Sequence, residues 1–171
     1  MKTILSEKLP RIIKNKKNLQ DILKVKITNR GKEITIDGKP EDEFIAEKVI
    51  DALNFGFPFS HAIAIKKQDY MLEIINIKDY TKRHDLKTIR ARIIGTKGKT
   101  LQTISNLTQC HLEMQENNIE IIGPPENIQN AQEAIISIIQ GAKQTHVYKN
   151  LEKRRPKPID DLGLKNNIRP E

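Results

Sequence analysis

The 171-residue chain has no tryptophan, a single cysteine (Cys110), only four phenylalanines and three tyrosines, and no run of eighteen or more apolar residues. Each shortage removes a class of explanation. One cysteine excludes an internal disulfide framework and suits a reducing compartment. No histidine stands in a pattern that would activate Cys110, so it is expected to be an inert core residue where a strand begins. Without a long apolar run or a signal-peptide pattern, a soluble, cytoplasmic protein with no membrane partner is expected. The histidines, His61, His84, His111 and His146, are scattered, with no H-x-x-x-H or C-x-x-C spacing to hold a metal. Neither metal nor cofactor is expected. Negative charge is also scarce: 30 Lys plus Arg stand against 22 Asp plus Glu, a net charge of +8. That makes an anionic partner the leading expectation. The densest carboxylate cluster, Glu41, Asp42 and Glu43, falls at an expected helix start, where the macrodipole accounts for it without acid–base chemistry. A binding protein, not an enzyme, is expected.

What the chain does have is repetition. RIIKNKKNLQDI, from Arg11, aligns with RIIGTKGKTLQTI, from Arg92, so that Arg11, Ile12, Ile13 and Lys16 match Arg92, Ile93, Ile94 and Lys97 at an offset of 81 (92 − 11). One inserted residue, Thr100, then sets Leu19, Gln20 and Ile22 opposite Leu101, Gln102 and Ile104. Further on, Gly38, Pro40, Glu41, Ala46, Ile50 and Gly56 match Gly123, Pro125, Glu126, Ala131, Ile135 and Gly141 at an offset of 85 (123 − 38). The chain therefore reads as two copies of one unit.

In the first copy, residues 3–7 read as a strand, Pro10 opens a helical turn, and residues 18–23 form a second short helix. Residues 25–28 and 33–36 alternate around NRGK, a hairpin signature. Pro40 starts a longer helix through Leu53 with Ile45, Val49, Ala52 and Leu53 on one stripe, and Gly56 stops it. The second copy repeats this with a strand over 70–77, helices over 82–94 and 100–108, a hairpin of 110–115 and 119–122, and a helix after Pro124 and Pro125. Between the copies, Phe55, Phe57 and Phe59 and a short helix over 60–66 are expected to seal the units together, because domains this small are marginal alone. Residues 143–155 extend as a basic helix with Val147, Tyr148 and Leu151 on the side to be packed. Its charges, Lys149, Lys153, Arg154 and Arg155, are a possible contact for RNA or a partner. Residues 156–171 show no apolar period and are expected to be disordered.

The densest chemistry lies in RIIGTKGKT, residues 92–100. Two glycines three apart break a helix–turn–helix pattern, letting main chain approach a phosphate. The amides opening the next helix add donors and a positive dipole end. Thr96, Lys97 and Lys99 put a hydroxyl and two charges on the rim. GTKGKT is no nucleotide-triphosphatase loop, which needs four residues between its glycines.

R-I-I-G-x-x-G-x-T, followed by apolar helix positions, a strand, G-P-P-E and an alanine-containing helix, resembles a type I KH domain, whose GXXG loop clamps about four nucleotides. The doubled arrangement and the ending GAKQTHVYKNLEKRR resemble the partner-of-Nob (Dim-two) family of small-ribosomal-subunit assembly factors in its short archaeal form. The fold implied is α+β: two tandem type I KH-like domains, each a three-stranded sheet with three helices on one face. Residues 1–66 form the first domain and connector, 67–155 the second with its basic helix. The resemblance implies binding of single-stranded RNA near the 3′ end of small-subunit rRNA, within the pre-ribosomal small subunit, and contact with a Nob-type endonuclease. Candidate RNA-binding residues are Arg90, Arg92, Ile94, Gly95, Thr96, Lys97, Gly98, Lys99, Thr100, His111 and Met114, with Ile104 serving either core or groove.

The first copy departs from the motif: Lys14 and Lys17 occupy the glycine positions, in KNKK. Side chains there block close approach of main chain to phosphate, so this degenerate copy is expected to serve as a protein surface or to touch phosphates by charge alone. Two alternatives to the ribosomal reading stand beside it: a general KH adaptor in RNA degradation, and a protein-interaction scaffold.

Overall fold

The computed structural model describes residues 1–155, and the disorder expected over 156–171 lies outside the described residues. The first half runs β1 (Lys2–Leu5), α1 (Leu9–Lys14), α2 (Lys16–Leu23), β2 (Lys26–Arg30), β3 (Glu33–Asp37) and α3 (Pro40–Phe55), and α4 (Phe59–Lys67) links it onward. The second half repeats the order with β4 (Met71–Asn76), α5 (Leu86–Ile94), α6 (Lys99–Thr108), β5 (His111–Gln115), β6 (Asn118–Gly123) and α7 (Pro125–Ile139), then adds α8 (Gln144–Arg154). Each half holds a three-stranded antiparallel sheet, in orders β1-β3-β2 and β4-β6-β5.

Strand alternation decides what each sheet buries. In the first, Ile27, Ile34 and Ile36 face the helices and meet Ile12, Leu19, Leu23, Val49 and Leu53 in one core. In the second, Ile75, Ile119 and Ile121 meet Ile89, Ile93, Ile104, Ile135 and Ile139 in another. The first core also takes in Ile122 from β6, with Tyr70 and Leu72 packed against it, so the outer face of the second sheet rests partly on the first half. Phe57 is fully buried in that first core, and Phe55 and Phe59 pack against the same cluster. The phenylalanines thus complete the first half's core, and Ile122 carries the join.

The repeat is visible in the backbone. Left-handed residues recur 85 positions apart: Lys24 and Gln109 end α2 and α6, Gly31 and Glu116 turn the hairpins, and Gly56 and Gly141 follow the long helices. The matched Gly38 and Gly123 answer a packing need, since a Cβ on either would lie within 3 Å of Val25 Cγ1 or Cys110 Sγ. Cys110 is itself buried, and burial raises its thiol pKa, as an inert core role requires.

Most boundaries differ from expectation by a residue or two, and the largest difference is at α5. The helix read over 82–94 begins only at Leu86, because the Asp85 side chain accepts from the Thr88 N–H at 3.3 Å and caps it there. A 3-10 turn, Ile77–Asp79, follows β4 instead.

Candidate nucleic-acid interface

The 95–98 loop joins α5 to α6. Gly95 has φ 74° and ψ 177°, and Gly98 has φ 74° and ψ 11°. Lys97, between them, is also left-handed at φ 53°. The two glycines have different reasons to be glycine. A Cβ on Gly95 would stand 2.7 Å from the Thr100 backbone nitrogen and closer still to its hydroxyl, whereas a Cβ on Gly98 would meet nothing within 4 Å. Gly95 is therefore demanded by packing inside the loop, and Gly98 leaves open space in front of the main chain. We expect Gly95→Ala to cost about 2–3 kcal/mol, from left-handed strain plus the clash. Gly98→Asn, which tolerates the left-handed region, should cost less than about 1 kcal/mol. Urea denaturation of both variants checks this, and equal losses would contradict it.

No side chain caps the N-terminus of α6; the Gly98 and Lys99 N–H groups donate to the Gly95 and Thr96 carbonyls, and the first-turn amides lie at the positive end of the helix dipole. Lys97 and Lys99 flank them, and Ile94 is 39% exposed beside the loop. Gly95, Thr96, Lys97, Gly98 and Lys99 are thus brought together around one concave stretch of main chain, with Thr100 buried behind them. Arg92 turns inward: its guanidinium donates to the carbonyls of Ala142, at 2.6 Å, and Ile138, at 3.3 Å. It ties the loop's approach to the end of α7. Arg90 donates to the Asn117 side chain at 2.8 Å, which links α5 to the β5–β6 turn. Both are positioned by internal bonds and hold the loop in place.

His111 does not join this group. Its register partner on β6 is Ile122, which faces the first half, whereas Leu112 and Met114 share the helix face of β5. The His111 ring stacks on His61 of α4, centroids 3.7 Å apart, and burial and His61 together lower its pKa. Strand alternation thus makes His111 a contact between halves. Ile104 is fully buried in the second core, and Met114 packs against its edge.

In the first half, only Asn15 separates α1 from α2, and residues 14–17 contain no left-handed backbone. The Asn15 N–H bonds to the Ile12 carbonyl at 3.1 Å, and the Asn15 carbonyl accepts from Leu19 at 2.9 Å. The open loop of the second half has no counterpart here.

The model of the type I, eukaryotic-type KH domain found as the second KH domain of Pno1 proteins matches residues 71–156. The chain belongs to the Pno1/Dim2 KH-domain family. It is 32% identical over 113 residues to a KH domain-containing protein of Methanocaldococcus jannaschii, covering 66% of this chain and 50% of that protein. It is 32% identical over 111 residues to the pre-rRNA-processing protein pno1 of Emericella nidulans, covering 63% of this chain and 43% of that one. The matched stretches span about half the length of these relatives. Among solved structures, a complex of a/eIF2alpha, aDim2p and rRNA from Pyrococcus horikoshii superimposes with a TM-score of 0.79 at 29% identity, covering 90% of this chain and 92% of that one.

Sequence reasoning missed what lies behind the loop. A groove of about 420 Å³ runs between the loop and α8, with Gln144 and Tyr148 on its far wall and Arg92, Lys99 and Thr103 near the glycines. The buried stripe of the basic tail could have signalled it: Val147 and Leu151 dock α8 in the second core, and that docking brings Tyr148 alongside the loop. No helix among the described residues is long and apolar enough to cross a membrane.

Proposed function

We propose that this protein is a cytoplasmic, non-catalytic ribosome-biogenesis factor of two tandem type I KH-like domains, residues 1–66 and 67–155. Its second domain holds single-stranded rRNA near the 3′ end of the small-subunit rRNA and positions a Nob-type maturation endonuclease on the pre-ribosomal small subunit. The carrying observation is the 95–98 loop: open main chain at Gly98, an α6 N-terminus with no side-chain cap, and Lys97 and Lys99 at its rim. A phosphate there meets a dipole end and two cations together. Gly95, Thr96, Lys97, Gly98, Lys99 and Thr100 form the phosphate cradle. Ile94 and Met114 offer apolar surface to bases, and Arg90 and Arg92 hold the frame. Support comes from relatives bearing the name pre-rRNA-processing protein and from the structural neighbour solved with rRNA. The first domain, lacking an open loop, serves as a protein-facing platform.

Titration with a single-stranded small-subunit rRNA 3′ fragment and a scrambled oligonucleotide of equal length tests this. Affinity for the fragment should exceed that for the scramble, and log K should fall against log salt with a slope of about −2 to −3, as four clamped nucleotides require. Equal affinity for both would favour the RNA-degradation adaptor. Absence of salt-sensitive RNA binding would leave the scaffold reading.

A further inference from the structure

The outer face of the second sheet carries an acidic groove that shares no lining residue with the groove beside the 95–98 loop. At its floor, Glu120 of β6 is only 4% exposed, and its Oε2 is the one buried side-chain oxygen or nitrogen without a hydrogen-bond partner among the described residues. Such an atom costs stability and calls for an explanation. The groove, about 410 Å³, lies between the halves, and Glu7 and Asp51 of the first half also line it. Leu72 and Ile74 of β4 and Leu5 of β1 form apolar walls; Leu5 is 73% and Ile74 58% exposed.

The repeat shows that the fold does not need this carboxylate. Glu120 sits at the centre of its sheet between Ile74 and Glu113, and the residue 85 positions earlier, Thr35, sits between Thr3 and Thr28. A neutral hydroxyl serves the same place in the first sheet. In the second, a carboxylate has been set opposite Glu113 and near Asp51, which cross-strand repulsion disfavours.

We propose that this groove receives an arginine side chain from an apolar-flanked segment of a partner protein. The guanidinium would donate to Glu120 and Asp51, and its neighbours would cover Leu5, Leu72 and Ile74. The charge argument selects this occupant. On a protein of net charge +8, a groove lined by Glu7, Asp51 and Glu120 repels a phosphate backbone and attracts a cation, and the planar fork of arginine matches a carboxylate better than an ammonium does.

Burial pushes the Glu120 pKa up to about 8, with Asp51 adding to the rise and Lys8 opposing it. Burial and Glu47 also raise Asp51, against Lys2. The folded state thus holds a proton that the unfolded state releases near pH 4.5. The stability this confers is fully present below that value and lost as pH rises through about 8. Docking of a cation displaces the proton, so binding tightens with pH.

The test uses the full chain with acetyl-Leu-Arg-Leu-amide, its citrulline analogue and guanosine monophosphate, followed by methyl NMR. The arginine peptide should give saturable shifts at Leu5, Leu72 and Ile74, about 10-fold tighter at pH 8.5 than at pH 6.5, with citrulline at least about 10-fold weaker. Glu120→Gln and Glu120→Thr should abolish these shifts while raising Tm at pH 8.5 by about 3 °C or more, an effect opposite to that of a structural residue. Equal binding by citrulline, unchanged binding by the variants, shifts confined to the 95–98 loop, or no saturable shift would each overturn the proposal. Shifts at the groove with guanosine monophosphate instead would assign it to RNA and overturn it equally.

Discussion

Replacing Thr96 and Lys97 together with aspartate should lower affinity for the small-subunit rRNA 3′ fragment by about 100-fold, roughly 2.7 kcal/mol, and should leave the circular dichroism spectrum unchanged. Both positions lie in the short turn between Gly95 and Gly98 and point out of the core; no buried residue occurs in that turn. Lys97 is left-handed, a conformation aspartate accepts more readily than most residues, so the fold has no reason to fail. Two carboxylates would then stand before the N-terminus of α6, which has no side-chain cap, occupying the dipole end and repelling a phosphate. The salt slope should become shallower in the same variant, because one cationic contact is gone. Unchanged affinity would move the RNA contact to the lysines of the first half or to α8.

Phe57→Ala should destabilise the protein by about 3–5 kcal/mol, a large share of the 5–15 kcal/mol typical of a domain. Phe57 is completely buried and is the largest fully buried side chain among the described residues. Its backbone N–H also bonds to the Ala52 carbonyl at 3.1 Å, closing the end of α3. Truncation leaves a cavity in the first core. Thermal unfolding should show Tm lower by about 10 °C or more. RNA affinity measured well below that Tm should be nearly unchanged, because the 95–98 loop is carried by the second core. A Tm shift below about 2 °C would show that the ring is not part of the core. Loss of RNA binding in the still-folded variant would show that the halves are coupled through Ile122, the β6 residue that belongs to the first core.

Element types and their order were legible because they depend on local pattern. Isoleucine spacing marked the helix faces, Pro40 and Pro125 opened the long helices, and the glycine matches at one offset exposed the repeat. Other parts of the repeat were hidden. Lys24 and Gln109, or Gly31 and Glu116, share a backbone conformation without sharing a residue type, so no alignment of letters could pair them. Asp85 carried a readable capping signal, and the helical pattern upstream outweighed it.

The site divided along the same line. The chain by itself marked the glycine loop and its lysines, because two glycines three apart admit positive φ at little steric cost, and it marked Lys14 and Lys17 at the matching positions of the first half. It also determined the positive balance that suits an anionic partner. Only the tertiary structure decided that His111 faces His61 and not the loop, that Arg92 is spent on the end of α7, that Tyr148 comes beside the glycines, and that Glu120 is buried. Each of these depends on which face of a strand or helix another segment covers, often one lying more than forty residues away along the chain. Periodicity says that a strand has two faces; it takes the packing of one half against the other to say which face loses its water.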